Sequence, residues 1–288
     1  MSDNAIVADE LLYAYGDVTA VDHISFEVAE GEILGFLGPN GAGKTTTVKM
    51  LTGQLLPQSG RASLLGLDVA KNAEKVQAQI GVCFELTNLY EQMTAAENLE
   101  LFARLFGVSD FDAMALLKRV GLAGREKDRV EGYSKGMKQR LMVARSLVNR
   151  PRILFLDEPT EGLDPVSSEN IRDIILEERE RGATVFLTTH DMFEADKLTD
   201  RVAFIHDGQI VALDTPHNLK QQFGQRALAV EVAGSDGGRT SREVVLDQPE
   251  TAGELQELFS SEQIITVHSK EATLEDIFIQ ITGRGLVG

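Results

Sequence analysis

The octapeptide Gly38-Pro39-Asn40-Gly41-Ala42-Gly43-Lys44-Thr45 matches the pattern glycine-x4-glycine-lysine-threonine in full. Its glycines permit positive φ and let successive N–H groups turn inward around phosphate oxygens. Lys44 would then reach the outer phosphates of a nucleotide, and the Thr45 hydroxyl would hold Mg²⁺. A second set of groups lies in Ile153-Leu154-Phe155-Leu156-Asp157-Glu158-Pro159. Asp157 suits a Mg²⁺ partner, directly or through water, and Glu158 a group that orients or deprotonates an attacking water. His190 directly follows the strand-like run Thr184–Thr189 and is a candidate contact to a terminal phosphate. Together these residue types describe hydrolysis of a phosphoanhydride.

Such groups must be brought together by strands that end side by side. Glu32–Leu37 is a short apolar run feeding the glycine loop, and the residues from Thr45 to Leu51 continue as a helix stopped by Gly53 and Pro57. Arg152–Leu156 and Ala183–Thr189 are apolar without alternation, as parallel strands buried on both faces are. The helical stretch Val166–Arg181 separates them. An open α/β sheet binds its ligands in the crevice at the carboxyl ends of such strands. Further strands are expected within Ala5–Leu37, broken by Gly16-Asp17 and Glu30-Gly31, and at Ile80–Phe84, Val202–His206 and Ile210–Leu213, the last pair joined through Asp207-Gly208. Helical spacing of Leu99, Phe102, Leu105 and Phe106, and of Leu141, Ala144, Leu147 and Val148, predicts helices from Thr94 to Val120 and from Lys138 to Val148. After Gly224 the composition shifts. Strands at Ala227–Val232, Glu243–Leu246 and Ile264–His268, helices at Glu250–Phe259 and Leu274–Ile281, and a loop at Gly234–Gly238 predict a small α+β appendage.

The 28 Lys and Arg residues against 45 Asp and Glu give a formal charge of −17. That argues against a surface for non-specific nucleic-acid binding, which works through clustered cations. Cys83 is the sole cysteine, so no intramolecular disulfide is available. Met1–Glu10 is acidic and lacks a signal-peptide pattern, and no apolar run approaches the ~20 residues needed to span a bilayer. The composition alone predicts a soluble cytoplasmic protein.

Tyr15, Gly38–Thr46, Tyr133-Ser134-Lys135-Gly136-Met137, Asp157-Glu158, Gly162-Leu163-Asp164 and His190 occur in one order, and over residues 5–223 the chain resembles the ATP-binding-cassette (ABC) family of ATPases. The resemblance implies an α/β phosphate-loop NTPase (RecA-like) core with an antiparallel β subdomain and a helical subdomain at about 86–149. The nucleotide-binding domain would span 1–224 and a C-terminal α+β accessory domain 225–288. Tyr15 would stack on adenine; the loop Gly38 to Thr46 would hold ATP, with Thr45, Glu85 and Asp157 around Mg²⁺; Lys44, Glu158 and His190 would carry catalysis. Ser134 and Gly136 would contact the ATP bound by an opposite subunit, and Asp164 would cross that interface. A second copy of the chain, or a related ATPase subunit, is therefore an implied partner.

Two departures from the family pattern stand out. The signature reads Tyr-Ser-Lys-Gly-Met where Leu-Ser-Gly-Gly-Gln is common, which retains the hydroxyl and the second glycine and sets Lys135 near the anion. Glu85 stands where Gln is usual, so three carboxylates would surround one Mg²⁺, binding it tightly or raising a pKa by like-charge repulsion. In transporters of the family the groove beside the Glu85 segment receives a short helix of the membrane subunit; Leu89, Tyr90 and Glu91 suit that contact or a loop packed on its own domain. The tail Thr273–Arg284 is similar to the ending of ATPase subunits of exporters whose permease is a separate chain. The leading expectation is thus the ATPase of an exporter, peripheral on the inner face of the cell membrane, with a separate transmembrane permease as partner. The alternatives are a non-transport member acting on ribosomes or DNA, and an importer ATPase. The transported substrate is not written in this chain.

Overall fold

A computed structural model describes residues 4–224, 227–233, 239–246, 249–261 and 263–283. The expected loop Gly234–Gly238 and the end of the tail at Arg284 lie outside the described residues. The chain divides into two compact units, one running to Thr215 and the other beginning at Pro216. The helix Pro216–Phe223 therefore goes with the smaller unit, and the division falls ahead of it rather than after Gly224.

In the larger unit a six-stranded sheet runs in the order Gln209–Asp214, Arg201–His206, Ile33–Leu37, Thr184–Thr189, Ile153–Asp157, Ile80–Cys83. The last five strands pair in parallel, and only the hairpin Arg201–His206/Gln209–Asp214 is antiparallel. Every residue of the strands Ile33–Leu37, Ile153–Asp157 and Thr184–Thr189 is buried, which is why their sequences carry no polar alternation. A second, antiparallel sheet contains Val18–Ala29, Asn4–Tyr15, Ser59–Leu64 and Leu67–Asp68, in that order. Phe26 of this sheet packs against Phe36 and Phe186 of the first at ring-centroid distances of 5.6 and 5.8 Å, welding the two layers. The strand Ser59–Leu64 was invisible to periodicity because its first half, Ser59-Gly60-Arg61, is exposed and without apolar side chains.

The opposite face of the parallel sheet carries a group of helices, while the helix Lys44–Leu51 packs on the side of the antiparallel sheet. Ala95–Leu105 starts from a capping box in which Thr94 and Glu97 exchange side-chain-to-backbone hydrogen bonds. Ala113–Arg119 follows with Asp112 as its cap, and then comes Lys135–Ser146. Leu99, Leu117, Leu141 and Met142 are fully buried in one cluster with Leu154, Leu156 and Leu187 of the sheet. Lys135–Ser146 starts one turn earlier than its apolar spacing predicts, since its first turn is polar and set by the Ser134 cap.

The smaller unit is a three-stranded antiparallel sheet, Arg239–Val245, Ala227–Ala233, Ile264–Lys270, with the helices Thr251–Ser261 and Leu274–Thr282. Arg239–Val245 extends further than Glu243–Leu246 because its exposed polar residues hid it. Among the described residues no helix is long and apolar enough to cross a membrane.

Candidate active site

Strand register places the site. Leu37 pairs beside Thr189, and Asp157 beside Thr188, so the loops after these three strands leave the sheet at one edge. The glycine loop is fixed by packing as well as by φ. A Cβ on Gly38 would lie 2.2 Å from the Ile205 carbonyl oxygen, and one on Gly43, at φ 111°, would lie 2.4 Å from that of Ala20. Gly43 opens the helix Lys44–Leu51, whose first amides face the loop.

Lys44 is 6% exposed. Its ammonium donates to the carbonyls of Gly38 (2.7 Å) and Pro39 (3.3 Å) and stands 3.3 Å from Glu158 Oε1. Glu158 adopts a left-handed φ of 51°, and its N–H donates to the Thr188 carbonyl at 3.1 Å. Its other carboxylate oxygen, Oε2, accepts from His190 Nδ1 at 3.0 Å and from the His190 amide at 3.4 Å. Glu158 is thereby held between Lys44 and His190. Asp157 is fully buried; Oδ2 accepts from the Thr45 hydroxyl at 2.8 Å and Oδ1 accepts from the Thr188 hydroxyl. Thr188 thus serves both acidic residues, and sequence reading missed it. The available signal was the Thr188-Thr189 pair of hydroxyls at the carboxyl end of a buried strand.

One cavity of about 430 Å³ gathers Tyr15, Pro39, Asn40, Gly41, Gly43, Lys44, Thr45, Thr46, Glu85 and Glu158 in its lining. Tyr15 is 48% exposed and braces its ring edge-on against Tyr13, with centroids 4.9 Å apart. Ala42 is buried beneath the loop. Glu85 stands exposed at the margin; partial burial, and then the charges of Asp157, Glu161 and Glu158, push its carboxyl above the usual range. Among the described residues no group of three acidic, His or Cys side chains is placed to hold an ion by itself, so Thr45, Glu85 and Asp157 would need oxygens from the nucleotide and water to complete a Mg²⁺ shell. Asp157 and Glu158 are each drawn to their own partners. The paired Thr45 hydroxyl and Asp157 carboxylate are hard oxygen donors, the set that Mg²⁺ takes when phosphates and water supply the rest.

Ser134, Gly136 and Asp164 do not line this cavity. Ser134 is exposed and its Oγ accepts the Met137 N–H at 3.2 Å, capping the helix Lys135–Ser146. Asp164 is also exposed and caps Pro165–Glu180; the Ser167 hydroxyl and the amides of Ser167 and Val166 hold its carboxyl below the usual range. Beside Glu85, Arg145 donates to the Asn88 carbonyl (2.6 Å) and side chain, and lies over the Phe102 ring at 4.7 Å. It lines a groove of about 430 Å³ together with Phe84, Asn88, Tyr90 and Phe106. Cys83, below it, is buried, and burial pushes its thiol up to about 12.

A glycine cradle at a helix N-terminus, a lysine within it, and a threonine–aspartate pair beside a glutamate–histidine pair define a phosphate-loop nucleoside triphosphatase. The family model described as ABC transporter matches residues 21–161. A fluoroquinolones export ATP-binding protein of Mycobacterium tuberculosis (strain CDC 1551 / Oshkosh) is 47% identical over 267 residues, 93% of this chain and 89% of that protein. A Nod factor export ATP-binding protein of Paraburkholderia xenovorans (strain LB400) is 37% identical over 302 residues, 99% of each chain. A solved dimeric ATP-binding cassette in a post-hydrolysis state with ADP and Pi superposes with a TM-score of 0.68 at 25% identity, covering 73% of this chain and 98% of that one. The chain belongs to the ABC transporter family, and within it is an ATP-binding, ATP-hydrolysing subunit of the export type.

Proposed function

We propose that this chain binds MgATP in the Tyr15–Lys44–Glu158 cavity and hydrolyses it to drive export through a separate transmembrane permease. The observation that carries the reading is the convergence of Tyr15, the glycine loop, Glu85 and Glu158 on one cavity, with the Thr45–Asp157 pair at the loop's root. Thr45 and Asp157 would hold Mg²⁺, which would neutralise charge on the phosphates. Tyr15 offers its exposed ring to the adenine. The amides after Gly43 and the Lys44 ammonium take the phosphate charge. Glu158 would accept the proton of the attacking water, and His190, hydrogen-bonded to Oε2, would fix the carboxylate's rotamer and contact the terminal phosphate.

Ser134, Gly136 and Asp164 lie outside the cavity, which supports a division of labour between two copies: each would complete the other's nucleotide site with these residues. The groove at Phe84, Tyr90, Phe106 and Arg145 would receive the permease, and the ATPase would lie on the inner face of the membrane without entering it. Closure on ATP and reopening after hydrolysis would pass the motion to the permease. Glu158→Gln tests the reading: ATP binding persists, turnover is lost, and an ATP-dependent dimer accumulates on size exclusion. Undiminished hydrolysis would remove Glu158 from the mechanism. Copurification from native membranes of a polytopic permease, rather than ribosomes, tests the partner.

A further inference from the structure

Lys135 stands directly after Ser134, and its side chain, though largely exposed, lies along a neighbouring loop. Its ammonium lies 3.7 Å from Glu161 Oε1. The stem runs along Gly162: a Cβ there would meet Nζ at 3.2 Å, Cε at 3.5 Å and Cδ at 3.7 Å. Gly162 has φ +71°, so the loop passes beneath Lys135 at a residue that leaves room for it. The next residue of each segment also touches, since a Cβ on Gly136 would lie 3.2 Å from Leu163 Cδ2. The start of the Lys135–Ser146 helix is therefore seated on residues 161–163 of its own chain.

That loop is short and internally braced. The Glu161 N–H donates to the Glu158 carbonyl at 3.3 Å, and the Leu163 N–H to the Thr160 carbonyl at 3.1 Å. The Thr160 hydroxyl donates to Glu194 Oε2 at 2.6 Å, and Glu194 belongs to the helix Met192–Leu198 that follows His190. A displacement of Glu158 thus reaches Glu161 through one hydrogen-bonded turn, and reaches Ser134 through the Lys135–Glu161 pair. From this we infer that Lys135 is a positioning residue: through Glu161 it sets the Ser134–Gly136 segment against the catalytic loop of the same chain, rather than contacting the anion itself. The inference rests on the proposed reading that Ser134 and Gly136 meet the nucleotide of a second copy.

The test is a charge exchange in the full chain, read as steady-state ATP hydrolysis against ATP concentration with Mg²⁺ present. For an exposed pair, Lys135→Glu and Glu161→Lys singly should each lower kcat/KM roughly three- to tenfold, since each reverses an attraction into a repulsion. The double exchange should return the rate to within about twofold of the parent. All three proteins should melt within a few degrees of the parent, because both side chains are largely exposed (71% and 41%). A double variant no better than the worse single variant overturns the proposal. So does a Glu161→Gln protein at the parent rate alongside a crippled Lys135→Gln protein, which would mark Lys135 as an anion contact. Ser134→Asp separates the underlying reading: aspartate keeps the helix cap but sets a carboxylate toward the phosphate. Ser134→Asp should be inactive; if it hydrolyses ATP at the parent rate, the two-copy reading itself fails and the inference with it.

Discussion

Replacing Glu158 by Gln should tighten ATP binding while abolishing turnover, and the size of the gain follows from the geometry around Lys44. The Lys44 ammonium stands 3.3 Å from Glu158 Oε1, with both side chains 6–7% exposed. At an effective dielectric of about 20, unit charges at that distance attract by about 5 kcal/mol. Desolvation of the two ions, several kcal/mol each, cancels most of that attraction. A triphosphate that draws Lys44 toward itself must also accept the Glu158 carboxylate as a neighbour. The amide keeps the shape and the backbone and removes both penalties, leaving about 1–2 kcal/mol, or about 5- to 30-fold in Kd. The chain holds no Trp, so equilibrium titration with a fluorescent ATP analogue in Mg²⁺ reads the nucleotide against little protein background. Turnover in the same preparation should fall about 10²- to 10⁴-fold, the range for a lost general base. Lost turnover with unchanged or weakened affinity would refute the idea that Glu158 competes with phosphate for Lys44.

Tyr15→Ala should raise KM for ATP by about five- to tenfold with little change in kcat, because stacking on a base is worth about 1–3 kcal/mol and Tyr15 is half exposed; steady-state kinetics checks this. Glu85→Gln should raise Tm at neutral pH. The raised carboxyl pKa of Glu85 means its ionised form disfavours the fold, so the gain is full above that raised value and vanishes below the unfolded carboxylate range near pH 4; melts at both ends of that window decide it. Thr188→Val should cost about 1–3 kcal/mol by leaving Asp157 Oδ1 without its donor, and should raise the Mg²⁺ concentration for half-maximal rate; urea unfolding and a Mg²⁺ titration are the measurements. Glu158→Gly should melt no lower than Glu158→Ala and be equally inactive, since glycine relieves the left-handed φ of 51° at about 1 kcal/mol; matched thermal melts of the two variants give the answer.

The site was legible where its chemistry is local in sequence. The loop Gly38–Thr45 and the strand end Asp157-Glu158 each carry their own signal, and the fully buried strands Ile33–Leu37, Ile153–Asp157 and Thr184–Thr189 announce themselves by lacking polar alternation. What stayed hidden depends on contacts between distant segments. Gly38 reads as a phosphate glycine, yet the atom that forbids a side chain there is the Ile205 carbonyl, far along the chain. The order of the sheet, with Ile33–Leu37 between Thr184–Thr189 and Arg201–His206, is a matter of tertiary packing. Helices and strands that bury little, such as Ser59–Leu64 and Pro216–Phe223, leave no periodic trace. Sequence places Glu85, Asp157 and Glu158 near one another without giving direction; hydrogen bonding turns Asp157 toward Thr45 and Thr188 and Glu158 toward His190, while Glu85 stays exposed at the cavity margin.

Those separate partners also resolve how a chain of net charge −17 can hold a polyanion. Glu85 and Glu158 line the cavity and Asp157 is bonded to Thr45 at its wall, and the charge of each is offset by a different device. Asp157 accepts two threonine hydroxyls, so its charge is spread into donors that stay in the site. Glu158 is paired with Lys44 on one oxygen and His190 on the other. Glu85 has no such donor; its environment shifts it toward the neutral form, by partial burial first and by its acidic neighbours second. The net charge of the chain therefore says little at the scale of the cradle, where the first amides of the Lys44–Leu51 helix and one buried ammonium dominate over distances short compared with the ~8–10 Å screening length. Acidity elsewhere on the surface acts on encounter and solubility, while selection for phosphate is decided within one turn of helix.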